Sequence, residues 1–258
     1  MQELTQAQQE YFKDSKIRNR NGELITVYHG SKNRGFDAFE YSPERQTGQD
    51  FGEAYYFTTD YQSAKSYAYD EHKDSRMIEW NNKKEQLIDN YQGQGSLTDA
   101  INRITVDGKT ANEITAEADY NRTGGEIHAV YLDLRNPLIV DAHGQTFYNA
   151  YPAYFEEAKE NGYDGIVVLN ASDSARGQAR PTDVFIAFHP SQIKSVTNLY
   201  PTDSKEFKDN SKDYLQRYGQ KLSFDERIRL ANNVVKNDIN KVVHQQEQRK
   251  EMNNGRER

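Results

Sequence analysis

The 258-residue chain has no cysteine, which excludes disulfide frameworks, thiolate metal sites and cysteine nucleophiles. Apolar residues make up only 35% of it, so one packed core with polar additions is expected. No run approaches the roughly 20 apolar residues of a membrane span, and the opening MQELTQAQQEYFKDSKIRNR lacks the apolar stretch of a signal peptide. A soluble, cytoplasmic protein without a classical secretion signal is expected. Excess positive charge is also missing: a formal net charge of −7 argues against general nucleic-acid binding, which needs clustered Lys and Arg. What is plentiful is aromatic. Against a single tryptophan stand 18 tyrosines and 11 phenylalanines, rings able to stack on planar ligands, the tyrosines keeping a polar handle.

Along the chain, Leu4, Ala7, Tyr11 and Phe12 fall at helical spacing over Leu4–Asp14. SKIRNRNGELITVYHG then predicts two strands around the Asn21-Gly22 turn, the second delivering His29. Residues 32–49 are polar and broken by Gly35, Pro43 and Gly48, which predicts a long loop. Ala54–Thr58 suits a short strand, and Asp60 or Thr59 can cap a helix starting near Tyr61. Met77, Trp80, Lys84, Leu87, Ile88 and Tyr91 line one face of a helix over Asp74–Tyr91. Leu97–Ile104 and Thr110–Asp119 also read as helical, so Asp74–Gly125 is expected to form a helical insertion between core strands.

Strand patterns resume in EIHAVYLDL, PLIVDA, DGIVVLN and TDVFIAFHPSQIKSVTN, the last holding two strands joined at His189-Pro190. A helix over Tyr148–Asn161 is expected to end at Gly162. Some joins are too short for parallel crossovers, which predicts an α+β fold with a mixed, mostly antiparallel sheet. After Pro201 the composition turns to charged and amide residues. There Ser223-Phe224-Asp225-Glu226 has a capping-box pattern, ahead of a stripe at Ile228, Ala231, Val235, Ile239 and Val242. The chain thus divides into a domain over 1–200 and a helical C-terminal extension over 201–258. The stripe either folds back on the core or offers a face to a partner.

Tyr28-His29-Gly30-Ser31 alone reads as an ordinary strand end. Followed in order by Tyr56-Phe57, Tyr67 and a late sheet, it resembles the histidine-tyrosine branch of the ADP-ribosyltransferase superfamily, which includes diphtheria-type toxins and poly-ADP-ribose polymerases. Within that branch the chain is most similar to the ADP-ribosyltransferase-like domains of large polyvalent proteins of phages and mobile elements. The pieces that carry the resemblance are LTQAQQEYFKDSKIRNRNGELITVYHGS, GEAYYFTTDYQSAKSYA, VYLDLRNPLIVDA, NGYDGIVVLN and TDVFIAFHPSQIKSVTN. They cover roughly Leu4–Asn198 apart from the insertion.

The resemblance implies a split sheet of that superfamily's type, NAD as substrate and chemistry that needs no metal. It implies that His29 hydrogen-bonds a ribose hydroxyl and that Gly30 offers its backbone N–H and C=O to the nicotinamide carboxamide. Tyr67 would stack on the nicotinamide ring and Tyr56 would form the opposite wall, although both rings would equally suit packing of a strand on the next helix. Ser31 and Phe57, in the same motifs, join the cofactor-binding set. Arg34 and Arg45 either meet the pyrophosphate or remain solvated. His29, Tyr67 and Gln192 are the catalytic candidates, with Gln192 either near the cleft or bonded to backbone at a strand start. Many members carry a glutamate where this chain has Val184, and strand alternation turns the neighbouring Asp183 to the opposite face.

Chain elongation is therefore not expected. That leaves mono-ADP-ribosyl transfer to a macromolecule, NAD hydrolysis, or binding without reaction. The resemblance implies a phage or mobile-element toxin or effector, delivered by the phage or a secretion system, with a protein acceptor favoured over nucleic acid. His128, His143, His189 and His244 have no histidine or carboxylate at metal-ligand spacing, so no metal is expected.

Overall fold

In the computed structural model, strands β1 (Val27–Ser31), β2 (Tyr55–Thr58), β3 (Glu126–Leu132), β4 (Pro137–Asp141), β5 (Gly165–Ser172), β6 (Pro181–Ala187) and β7 (Ile193–Ser195) build one open sheet. Their order is β4-β5-β6-β2-β1-β3-β7. Residues 3–40, 54–93, 95–117, 119–146, 151–173, 181–208, 210–232 and 234–236 are described. Only β4 and β5 run parallel, and the chain between them includes helix α6 (Tyr151–Glu160), the kind of crossover a parallel pair requires. The other neighbours are antiparallel, so the fold is α+β with a mixed sheet, as the strand patterns predict.

Alternation gives the sheet two different faces. On one, Val27, Phe57, Val130, Leu132, Val167, Phe185 and Ala187 pack with Phe39 and Phe207. On the other, Ile166, Val168, Val184 and Ile186 pack under Phe155 and Ala158 of α6. Phe57 is 2% exposed; full burial of such a ring stabilises by about 2–3 kcal/mol. Helix α1 (Gln6–Tyr11) starts at a capping box between Thr5 and Gln8 and docks where Gln8 Nε2 donates to Asn198 O and the Tyr11 hydroxyl to Ser191 O.

Helix α2 (Tyr61–Ala68) begins at Asp60, whose side chain accepts from the Gln62 N–H. Three more helices follow, α3 (Ser75–Asp89), α4 (Leu97–Asn102) and α5 (Ala111–Ala116). They share a small core of their own, formed by Tyr69, Met77, Val106 and Ile114. The long face expected on α3 is only partly used: Met77 is buried, whereas Ile88 is exposed.

The expected hairpin around Asn21-Gly22 is a correction. Its turn forms, with Gly22 at φ 81° and its N–H donating to Asn19 O, but the first arm is reduced to the single bridge between Arg18 and Leu24. The chain before it is drawn elsewhere, because Lys16 N–H donates to Leu134 O and Ile17 is buried in the core.

Beyond residue 200, the Phe207 ring belongs to the central core and Lys194 donates to Glu206 O at 2.9 Å, so residues up to 207 are sewn onto β7. Helix α7 (Ser211–Tyr218) and helical residues 224–232 follow. Leu230 is buried while Phe224, Ile228 and Val235 are exposed. Ile239 and Val242 lie outside the described residues, as do Pro43, Gly48 and the first residues of the helix expected from Tyr148. No helix among the described residues is long and apolar enough to cross a membrane.

Candidate functional site

The sheet is weakest between β1 and β2. β1 pairs with β3 from Val27 to Ser31, but it meets β2 through Tyr28 opposite Thr58 alone. Past that point a side chain takes the place of a ladder bond: His29 Nδ1 lies 2.8 Å from Tyr56 O. A carbonyl can only accept, so Nδ1 carries the proton. Burial pushes the His29 pKa down, against the Tyr56 bond, and the ring is neutral near pH 7. Its Nε2 is then a hydrogen-bond acceptor, the form suited to a ligand hydroxyl.

The imidazole of His29 packs at a tilt against Phe57, with ring centroids 5.6 Å apart and planes at 52°, and meets Phe39 edge-on at 5.0 Å. Its cross-strand partner is His128, whose ring lies 6.4 Å away and nearly parallel. His128 is 5% exposed and enclosed by Phe36 and Phe207 at 4.5 and 5.1 Å. Among the described residues its Nε2 finds no hydrogen-bond partner, although Glu126 Oε2 is 3.8 Å away. Burial drives its pKa to about 4; Glu126 opposes this, and His29 and Lys208 add to it. The pairing is a ring contact across two strands, which sequence spacing alone does not reveal. Among the described residues, however, no three His, Asp or Glu side chains are grouped to hold a metal ion.

Gly30 faces the other way. A Cβ built there would stand 1.8 Å from Ala64 O, because α2 lies directly on β1. Absence of a side chain therefore serves close packing against a helix. Tyr56, opposite the end of β1, packs toward the α6 cluster. From α2, the Tyr67 hydroxyl donates to the carboxylate of Asp173 just past β5, and Ser63 Oγ donates to Asp173 O at 2.7 Å. Burial raises the Asp173 carboxyl above its ordinary pKa, against the Tyr67 bond. The predicted residues thus divide between two faces: His29 and Phe57 on one, Gly30, Tyr56 and Tyr67 on the other.

Ser31, Arg34 and Gln192 are engaged with backbone. Ser31 Oγ accepts from Asn33 N–H in the turn after β1. The Arg34 guanidinium donates to Gly125 O and to Asn121, tying the loop after β1 to the segment before β3. Arg45 lies outside the described residues. Gln192 accepts from the N–H groups of Phe188 and His189 and donates to Asp164 O, so its amide shapes the turn between β6 and β7. Val184 is buried with Ile186, and Asp183 turns to the other face, where it accepts from Asn170 N–H.

Sequence reasoning missed two residues here. For His128 the signal was its shared parity with the buried Val130, which became meaningful only once the β1–β3 register was known. Asp173 carried no local signal; a strand end 106 residues after Tyr67 becomes its neighbour only through the fold.

Residues 19–91 match the family model described as ADP-ribosyltransferase in polyvalent proteins. The match contains His29, Gly30, Tyr56 and Tyr67 and runs through α3, so the first helix of the segment 74–125 falls within it. It supports ADP-ribosylation as the general chemistry, and with it NAD as the family's substrate. No curated protein and no solved structure matches the chain significantly.

Proposed function

We propose that this chain is a mono-ADP-ribosyltransferase that takes NAD as substrate and modifies a macromolecule of a host cell, as a toxin or effector of a phage or mobile element. The observation that carries the reading is the family match over 19–91, because it contains the strand, the strand and the helix that meet where β1 and β2 part. In the reaction the bond between nicotinamide and ribose breaks, its electron pair leaves with nicotinamide, and an oxocarbenium-like centre is captured by the acceptor, whose proton passes to solvent. Such a site gains rate by holding the ribose and the departing ring in one geometry. Neutral His29, with Nε2 as acceptor, suits a ribose hydroxyl. The Tyr56 and Tyr67 rings suit the planar nicotinamide. Buried Val184 offers nothing to a growing chain's hydroxyl, which favours a single transfer.

Pure protein incubated with tagged NAD and a bacterial lysate is expected to label a discrete component and release nicotinamide, and His29→Ala to lose both. Release without labelling would instead make the protein an NAD glycohydrolase. Neither NAD binding nor release would reduce it to an interaction module, with the exposed stripe of the C-terminal helices as its candidate contact face.

A further inference from the structure

We propose that Asp173 is a positioning residue that fixes the Tyr67 ring for NAD, an inference that rests on the reading of Tyr67 as the nicotinamide-stacking residue. Two bonds from α2 converge on Asp173. The Tyr67 hydroxyl donates to its carboxylate, and one turn earlier Ser63 Oγ donates to its backbone carbonyl at 2.7 Å. Residues four apart lie on one side of a helix, so the end of β5 is clamped along a single flank of α2. Ala171, two residues before Asp173, packs on the α6 side of the sheet, and strand parity turns Asp173 toward the face that α2 covers.

The arrangement has a purpose that packing alone does not supply. A tyrosine ring on a helix flank keeps torsional freedom about its side chain, and ordering that freedom at the moment of binding weakens the complex. A charge-assisted bond at the tip of the ring settles its direction beforehand. The carboxylate is half-buried, so keeping it there is costly unless it is bonded, and the phenol supplies that bond. Asp173 also lies outside the matched residues 19–91, so the partner of a matched tyrosine comes from a distant part of the chain.

The test is NAD binding by titration calorimetry on the full chain, with nicotinamide-release kinetics beside it. Tyr67→Phe removes only the hydroxyl, and Asp173→Ala removes the acceptor. Each is expected to weaken NAD binding about fivefold to tenfold, the worth of one hydrogen bond. The double variant is expected to be no weaker than either single one, because the two changes delete the same bond. Asp173→Asn, whose amide oxygen still accepts the phenol hydrogen, is expected to recover most of the loss. In turnover the effect should appear in KM with kcat held, whereas loss of folded protein would lower kcat. Wild-type affinity in both Tyr67→Phe and Asp173→Ala, or additive losses in the double variant, would overturn the inference. If those variants bind normally while Tyr67→Ala loses NAD, the stacking reading stands and only the role of Asp173 falls. If Tyr67→Ala also binds as wild type, both fall.

Discussion

On one side of β1, His29 meets a second histidine and a shell of aromatic rings; on the other, Gly30 meets the backbone of α2 with no room for a methyl group. Neighbouring residues of one strand thus serve opposite kinds of packing. The histidine side stays neutral by burial and leaves polar capacity over, since His128 Nε2 has no hydrogen-bond partner among the described residues. The glycine side is a contact between main chains, and it sets the height of α2, and hence of Tyr67, above the sheet. The difference teaches that a His-Gly pair can combine two functions: a side chain whose protonation state is controlled, and a gap that lets a ring-bearing helix come close.

The largest expected effect is on the glycine side. Gly30→Ala would push a Cβ to 1.8 Å from Ala64 O and 2.9 Å from Ala68 N, both main-chain atoms that cannot rotate away. Overpacking of this kind costs about 3 kcal/mol or more, visible as a shifted urea midpoint. NAD binding should fall beyond what the loss of folded protein explains, because α2 must lift and carry Tyr67 with it. A stability change within error would show that α2 slides freely over β1 and would dissolve the contrast.

The histidine side predicts a pH effect. His128 has a folded pKa of about 4, below its unfolded value near 6.5. The unfolded chain therefore binds the proton first, and stability is complete above about pH 6.5 and lost as the pH falls toward the folded value. Between about pH 6.5 and 4.5 this one group should remove about 2.5 kcal/mol. His128→Phe, placed among the rings of Phe36 and Phe207, should flatten that part of the curve relative to the unchanged protein. Equal slopes in the two proteins would mean that His128 is hydrated in the native state.

Much of this contrast was legible in the sequence and part was not. The α+β class, the capped helix at Tyr61 and the turn at His189-Pro190 follow from alternation, capping chemistry and the short reach of the joins. The division of His29 and Gly30 between two faces follows from parity alone. What each face meets does not, because Phe36, His128 and Phe207 come to His29 from a loop, a strand and the chain beyond β7. Arg34 and Gln192 show the opposite case: residue type left a ligand and a bland role both open, and the backbone groups that both side chains satisfy are invisible as partners without the fold. A single arm of the Asn21-Gly22 hairpin was lost for the same reason, since Lys16 bonds Leu134 O.

The smallest predicted effect asks what holds α2 in place. Ser63→Ala deletes the 2.7 Å bond to Asp173 O but leaves Ala64 and Ala68 seated over Gly30. Ser63 is 4% exposed, so little water can replace the bond, and a cost of about 1 kcal/mol is expected. For a chain of this size that corresponds to a melting shift of about 2–4 °C. If β1 is the seat of the helix, the Ser63→Ala loss must stay well below the Gly30→Ala loss, and the double variant must lose less than the sum, because a helix lifted by the methyl group of Gly30→Ala has already strained the Ser63 bond. A loss as large as that of Gly30→Ala would reverse the assignment: the end of β5, through Ser63 and Tyr67, would be the anchor, and contact with Gly30 only its consequence.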